Sequence, residues 1–220
     1  EVWVPSLFNQ EIFVKNGVDE NMVVHVPEPI DVHMYDPAVT TPLFPNMNES
    51  QEQQQGQQQQ RQRQQPLADG SPMKKRQFNF LSVFKWEERK GPRELLEAYF
   101  TTFTKHDNVC LNLVTYIFMD PFGRTQWRVH REINDLINDL KLDRDSLPAY
   151  RIINDVIATV DMPRMYKSFD AYVLPSKGEG WGLPYIEAMS MAMPTIGTKF
   201  GGQLDFMNSE NSFLVDIKGM

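Results

Sequence analysis

Short apolar runs alternate with amphipathic segments along residues 78–217, and this alternation restricts the fold more than any other feature of the chain. Predicted strands cover 78–84, 109–118, 150–157, 170–174, 194–197 and the closing SFLVDI. The first predicted helix begins at Pro92, and three others cover 124–140, 162–168 and 184–192. This order predicts an α/β fold, a parallel sheet with helices on both faces. Ligands bind such sheets at the carboxyl ends of the strands, so the loops at 85–91, 158–161, 175–183 and 198–203 should share one rim.

The first 40 residues predict a smaller β-α-β unit. Trp3–Pro5 is typical of a strand end, and Ser6 is a typical N-cap for a helix that runs to about Lys15. A second strand is predicted over 22–26. The chain starts EVWVPSLFNQ, without an initiator Met or a secretory signal, so we expect the sequence to be an internal part of a longer, cytoplasmic protein.

Residues 41–77 differ sharply in composition from the rest of the chain, because they include QEQQQGQQQQRQRQQ and very few apolar residues. Such a segment cannot offset its ordering entropy by burial, so we predict a disordered Gln-rich insertion. A glutamine tract can also serve as a partner-binding or aggregation-prone element, and the basic cluster over 61–76 can contact RNA or act as a localisation signal. A tolerated, solvated surface insertion is the more common case.

Composition excludes several classes of function. The formal net charge is −7, with a pI near 5.1, which disfavours a general nucleic-acid binder. Cys110 is the only cysteine, so neither a disulfide framework nor a cysteine metal cage can form. The four histidines lack metal-ligand spacing, and no run approaches the roughly 20 apolar residues of a membrane helix.

The loop after the strand at 170–174 reads LPSKGEGWGLPYIEAMSM and carries the strongest chemical signal. Its glycines permit close backbone approach, and the amides of residues 181–183 precede a predicted helix, so they can hold a phosphate or a sugar hydroxyl. A glycine-rich turn without a ligand is the competing interpretation. Glu179 and Glu187, eight residues apart, favour a ligand, since two carboxylates can grip the vicinal hydroxyls of a sugar or ribose.

The segment GEGWGLPYIEAMSM, with Glu179 and Glu187 as an E-x7-E motif, resembles the retaining glycosyltransferases of family 4. FLSVFKWEERKGPRELLEAYF resembles the opening strand, basic loop and helix of their donor-binding domain. The resemblance covers 78–217 continuously and includes 1–37. It implies the C-terminal half of a GT-B fold. Residues 1–40 would end the N-terminal acceptor domain and cross over, and 78–220 would form a C-terminally incomplete, Rossmann-like domain that binds a nucleotide-sugar.

The resemblance also implies roles for individual residues. Glu187 would bind the ribose, Glu179 with Gly180, Trp181, Gly182 and Leu183 would hold the sugar, and Lys85 and Lys90 would stabilise the leaving diphosphate. Lys85 stands where most members have Arg, and a lysine is a point charge rather than a planar fork. No cofactor and no metal is expected. Asp205 stands where many relatives have Glu, and we interpret it as a surface carboxylate.

The implied activity is transfer of a hexose to an acceptor hydroxyl with retention at the anomeric carbon, the acceptor being unknown. An inactive nucleotide-sugar-binding or scaffold protein, with the polyglutamine segment as its interaction element, is the alternative. A dinucleotide oxidoreductase is disfavoured, because FKWEERKG stands where a G-x-G-x-x-G loop is expected.

Overall fold

A computed structural model of the protein describes residues 1–45, 76–117 and 124–218. The chain begins with the predicted β-α-β unit, in which β1 (Val2–Val4) and β2 (Val23–His25) pair in parallel and α1 (Leu7–Lys15) joins them. Ser6 caps α1, because its side-chain oxygen accepts a hydrogen bond from the Asn9 amide at 3.2 Å. This part of the prediction is confirmed.

The larger part of the molecule is a six-stranded sheet in which every neighbouring pair is parallel. Its strands are β3 (Phe78–Lys85), β4 (Val109–Tyr116), β5 (Ala149–Ile153), β6 (Ala171–Leu174), β7 (Thr195–Thr198) and β8 (Phe213–Val215). The helices are α2 (Pro92–Thr102), α3 (Thr125–Asp139), α4 (Met162–Tyr166) and α5 (Leu183–Ser190). The predicted strand at 150–157 is shorter than expected, since the chain after Ile153 turns into the rim of the sheet.

The spatial order of the strands is β5-β4-β3-β6-β7-β8. Chain order therefore reverses between β3 and β6, as in a doubly wound Rossmann-like fold. α2 and α3 contact each other, and so do α4 and α5. Right-handed crossovers on the two sides of the reversal place these pairs on opposite faces of the sheet. The predicted fold class is confirmed, and the loops after β3 and β6 meet at the point where ligands bind in such folds.

The core is built from the strand positions that the apolar runs predict. Leu81, Leu111 and Leu113 on the central strands are fully buried or nearly so. α2 and α3 each bury one apolar stripe, with Leu96 and Ile133 as examples. The Cys110 thiol is buried, as expected for a small apolar side chain. Within the described ranges, we find no helix with both the length and the apolar character needed to cross a membrane.

The predicted Gln-rich insertion, 41–77, falls mostly outside the described residues, but both of its ends contact the domain. The Phe44 amide donates to Ser168 Oγ at 2.9 Å, and the Phe44 ring lies 6.1 Å from that of Phe169. Arg76 Nη2 lies 2.6 Å from Asp170 Oδ1. The apolar pair at 43–44, at the start of the predicted insertion, thus contacts the domain. Both flanks meet the domain at residues 168–170.

Candidate functional site

A cavity of about 700 Å³ lies above the carboxyl ends of β3, β4 and β5. Lys85 and Lys90, the two lysines predicted from the sequence to contact a diphosphate, both line it, and so does Arg89. Apolar and polar groups from the ends of the neighbouring strands complete the wall, together with Met162 of α4 and Pro184 of α5. The cavity therefore lies at the carboxyl rim of the sheet, beside the point where the strand order reverses, which is where ligands bind in such folds.

A smaller cavity, of about 310 Å³, lies between α2 and α3. Its charged side chains are paired: Arg128 Nε lies 2.8 Å from Glu132 Oε1, and the Trp86 indole donates to the other oxygen of Glu132 at 2.6 Å. Four carboxylates and only two arginines line this cavity, whereas three cations and two carboxylates line the larger one, so the larger cavity is the stronger candidate for an anionic ligand.

The loop at 86–91, after β3, and the loop at 175–182, after β6, are bonded to each other. The Lys177 amide donates to the Arg89 carbonyl at 2.7 Å, and the Arg89 guanidinium donates to the Gly178 carbonyl. Gly91 permits the close approach, since its φ is +69° and a Cβ there would lie 2.3 Å from the Pro175 carbonyl oxygen. The two loops that carry the predicted site residues therefore form one unit.

Lys90 and Glu179 form an ion pair at the centre of this unit. Lys90 Nζ lies 2.6 Å from Glu179 Oε1, and the side chains are only 12% and 8% exposed. Arg89 Nη1 lies 3.3 Å from the other oxygen, Oε2. Two residues that the sequence assigned to different parts of the donor, its diphosphate and its sugar, are thus in direct contact. Glu179 faces two cations.

Lys85 extends the row of charges toward the solvent. Its Nζ lies 3.0 Å from Glu87 Oε2, and Glu87 Oε1 accepts a hydrogen bond from Arg89 Nη2 at 2.9 Å. The Lys85 hydrogen bond, with the added attraction of both cations, lowers the pKa of the Glu87 carboxyl below its ordinary value. The rim thus carries three cations, Lys85, Arg89 and Lys90, and two carboxylates, Glu87 and Glu179.

The glycine-rich turn leads into α5. Gly182 ends the turn with a φ of +97°, which glycine adopts without strain. Among the described residues, none accepts a hydrogen bond from the main-chain amides of Trp181, Gly182 and Leu183. These amides are at the start of the helix, where free N–H groups and the helix dipole favour oxygen-rich ligands. The Trp181 side chain is buried, 5.0 Å from the Phe206 ring, and Gly180 is exposed.

Glu187 lies on α5, one helical turn beyond Pro184, and it is half-buried. Its Oε1 accepts a hydrogen bond from the Tyr35 hydroxyl at 2.9 Å, and its Oε2 accepts one from the Tyr166 hydroxyl at 2.7 Å. Burial raises the pKa of this carboxyl above its ordinary value, while the two hydroxyls act in the opposite direction. The surroundings of Glu187 therefore differ sharply from those of Glu179.

Sequence analysis missed three residues that contact the predicted carboxylates. Arg89 belongs to the charged run EERK, in which any side chain could equally be solvated. Tyr166 lies in the short helix α4 and is fully buried, so its position there indicates a core residue rather than a site residue. Tyr35 has no local signal at all, because it is 152 residues away from Glu187 in the sequence.

Asp205 is an exposed residue, as predicted for a surface carboxylate, but its carboxylate also makes two structural contacts. Its Oδ2 accepts a hydrogen bond from the Leu7 amide at the start of α1, at 2.9 Å, and lies 3.3 Å from His25 Nε2. Asp205 therefore satisfies a free helix amide and joins the β1-α1-β2 unit to the larger sheet. The described part of the chain contains no group of three or more potential metal-ligating side chains.

The sequence model of one protein family, described as glycosyl transferases group 1, matches residues 75–219. The match includes every predicted site residue but excludes Tyr35. Among curated protein sequences, none matches the chain.

Solved structures share the fold. Anabaena HepE, in a complex with UDP and glucose, superposes with a TM-score of 0.67 at 19% identity, over 99% of this chain and 49% of that one. A glycosyltransferase from Rickettsia africae gives a TM-score of 0.65 at 20% identity, over 100% of this chain and 50% of that one. Sucrose-phosphate synthase from Thermosynechococcus elongatus gives a TM-score of 0.63 at 22% identity, over 99% of this chain and 45% of that one. The chain thus spans about half the length of these proteins.

Proposed function

Since this chain belongs to the group 1 glycosyltransferases, we propose that it binds the nucleotide-sugar in an enzyme that transfers a hexose to an acceptor hydroxyl with retention of configuration. The predicted membership of a glycosyltransferase family is confirmed as group 1, and the fold is that of one half of a GT-B glycosyltransferase. The observation that carries the proposal is the cluster of Lys85, Arg89 and Lys90 on the wall of the large cavity. Three cations in one wall suit a diphosphate.

Lys90 has the central role in this proposal. An ammonium group has three N–H donors, and Glu179 takes one of them at 2.6 Å. The others remain for phosphate oxygens on the cavity side. Lys85 and Arg89 would add charge from the outer part of the rim, where both are more exposed. Because these cations supply the positive charge that a diphosphate needs, the proposal includes no divalent metal.

The sugar and the ribose would occupy the two ends of the site. Glu179 would accept hydrogen bonds from the hexose hydroxyls. The unsatisfied amides of Trp181, Gly182 and Leu183 would donate hydrogen bonds to the hexose oxygens. Glu187, which lies one turn further along α5, would accept hydrogen bonds from the ribose hydroxyls. The complexes of HepE with UDP and glucose and with UDP-glucose support a nucleotide-sugar as the ligand, and they make UDP a reasonable first probe.

In the reaction, the bond between the anomeric carbon and the diphosphate oxygen breaks, and the acceptor oxygen takes its place. The hydroxyl proton is released, and a nucleoside diphosphate leaves. Negative charge grows on the phosphate oxygens as the bond breaks, so fixed cations stabilise the transition state more than the bound donor. Glu179, beside the sugar, would stabilise the positive charge that develops at the anomeric carbon.

Calorimetric titration of the chain with UDP, GDP and ADP tests donor binding directly. We expect one nucleotide to bind, and we expect Glu187→Gln to weaken it. In the whole protein, Glu187→Gln should mainly raise the donor KM, since ribose contacts change little in the transition state, and Glu179→Gln should lower kcat by roughly a hundredfold. The anomeric configuration of the product, read by NMR, tests retention. Nucleotide binding without any transfer would favour the inactive, scaffold alternative.

A further inference from the structure

The Glu187 carboxylate is held between two tyrosine hydroxyls that come from distant parts of the chain. Tyr166, on α4, is fully buried, and Tyr35, in the segment 26–45, is 6% exposed. Each hydroxyl donates to a different carboxylate oxygen, at 2.7 and 2.9 Å. Two bonds to two oxygens fix the plane of the carboxylate, and each oxygen keeps a lone pair for another donor.

The same two bonds favour the charged form of Glu187. Burial disfavours the carboxylate, and within the described ranges no Lys, Arg or His forms an ion pair with it. The titratable groups that face it are Tyr35 from the segment 26–45, Tyr166 from α4 and Tyr172 from β6. Hydrogen bonds from the first two are therefore the interactions that compensate its charge.

We propose that Tyr35 and Tyr166 are positioning residues that hold the Glu187 carboxylate charged and oriented to accept the ribose hydroxyls of the donor. This inference rests on the proposed function of the site. It assigns no chemistry to either tyrosine, since both act through Glu187.

Through Tyr35, the contact with Glu187 also holds the segment 26–45 against the domain. The turn that carries Tyr35 is fixed by Asp31, whose carboxylate accepts the amides of His33 and Met34 at 2.9 and 3.1 Å. Further along the segment, the Leu43 amide donates to the Arg164 carbonyl on α4 at 2.9 Å. The segment 26–45 thus contacts α5 through Tyr35 and α4 through Leu43. By linkage, whatever strengthens the contact of Tyr35 with Glu187 also strengthens the docking of this segment.

Tyrosine-to-phenylalanine variants test the proposal, because they remove one hydroxyl and little volume. Tyr35→Phe and Tyr166→Phe are compared with Tyr99→Phe, which removes a hydroxyl bonded to the Ala149 carbonyl at 2.6 Å, away from Glu187. UDP, GDP and ADP are titrated into each full chain from pH 5 to pH 8. The ¹³C resonance of the Glu187 carboxyl, assigned through its loss in Glu187→Gln, is followed over the same range.

Removing a hydrogen bond to the charged form raises the pKa of the carboxyl. In both test variants, we expect its titration to move to higher pH and nucleotide affinity to fall roughly tenfold, the usual effect of one lost bond to a charged group. As the pH is lowered, the loss of nucleotide affinity should begin at a higher pH in these variants than in the wild type. Tyr99→Phe should match the wild type in both measurements.

Hydrogen exchange tests the link to the segment 26–45. Nucleotide should increase protection of its amides in the wild type but not in Tyr35→Phe. The inference is overturned if the wild type binds a nucleotide through Glu187 and both test variants titrate and bind like it. A wild type that binds none of the three nucleotides instead refutes the proposed function, and the ¹³C titration then decides alone whether the tyrosines keep Glu187 charged.

Discussion

Replacing Lys90 separates a diphosphate contact from a purely structural ion pair. Lys90 and Glu179 are almost completely buried against each other, and Arg89 Nη1 contacts the same carboxylate at 3.3 Å. In Lys90→Ala, Glu179 therefore keeps one cation. Lys85 has a different setting, because its side chain is 35% exposed and its partner, Glu87, is 29% exposed. Lys90→Ala should therefore lower the stability of the fold more than Lys85→Ala does, but both substitutions should weaken nucleotide binding.

The magnitudes follow from these surroundings. Removing one partner of a buried ion pair costs about 3–5 kcal/mol when the other is left unpaired. Because Arg89 still faces Glu179, we expect about 1–3 kcal/mol of unfolding free energy to be lost in Lys90→Ala. The Lys85–Glu87 pair resembles a surface salt bridge, which contributes about 0–1 kcal/mol to stability. If both contact phosphate, each substitution should weaken nucleotide binding by about ten- to a hundredfold.

Urea denaturation and calorimetric titration measure the two quantities separately. Lys105→Ala, which removes an exposed lysine far from the cavity, is the control and should match the wild type in both. A second variant, Lys90→Ala with Glu179→Gln, should recover part of the stability, because the buried charge is gone, but not the affinity. Equal nucleotide affinities for Lys85→Ala, Lys90→Ala and Lys105→Ala, measured where all three are folded, would refute the diphosphate assignment.

Three further outcomes are expected. Gly91→Ala should lose about 2–3 kcal/mol of stability, since strained φ adds to a Cβ placed 2.3 Å from the Pro175 carbonyl; Gly17→Ala, at a φ of +94° with nothing within 4 Å, should lose only about 1 kcal/mol in the same denaturation assay. Replacing residues 46–75 by a short Gly/Ser linker should leave the melting temperature unchanged or slightly raised, because both flanks meet the domain at 168–170 and a shorter loop costs less entropy; a fall of several degrees would contradict this. Burial raises the pKa of Glu187 above its ordinary 4.5, so the folded protein keeps this proton where the unfolded chain has lost it. The stability of the wild type relative to Glu187→Gln should therefore decline as pH rises from about 4.5 through the folded pKa, and a constant difference would show that folding does not raise the pKa of this carboxyl.

The fold was largely predictable because its determinants are local. Apolar runs at strand length and stripes at helical spacing identify the six strands and four helices of the larger sheet, with errors confined to their ends. The helix predicted at 162–168 ends at Tyr166, for example, and the one predicted at 184–192 ends at Ser190. Helix ends depend on tertiary contacts as much as on propensity, so a single sequence does not determine them.

The candidate site was predictable only in part, because its contacts join distant segments. The motif identified Glu179 and Glu187, and the resemblance identified Lys85 and Lys90. Neither indicated that Lys90 and Glu179, which are 89 residues apart, are in contact. Arg89 was hidden among charged neighbours. Tyr35 was hidden by its distance from every motif, and only the packing of the segment 26–45 on α4 reveals it.

The two carboxylates of the motif illustrate how one pattern can encode two chemical environments. Glu179 is compensated by full charges, Lys90 and Arg89, whereas Glu187 is compensated by the hydroxyl dipoles of two tyrosines. A glutamine at 179 would leave two cations facing a neutral amide, beside the position proposed for the sugar. A glutamine at 187 would remove a buried charge that no cation compensates, and it can still exchange hydrogen bonds with both hydroxyls. The same substitution should therefore destabilise the fold at 179 more than at 187, whatever its effect on the donor, so that stability measured beside kinetics separates the environments of the two glutamates from their roles.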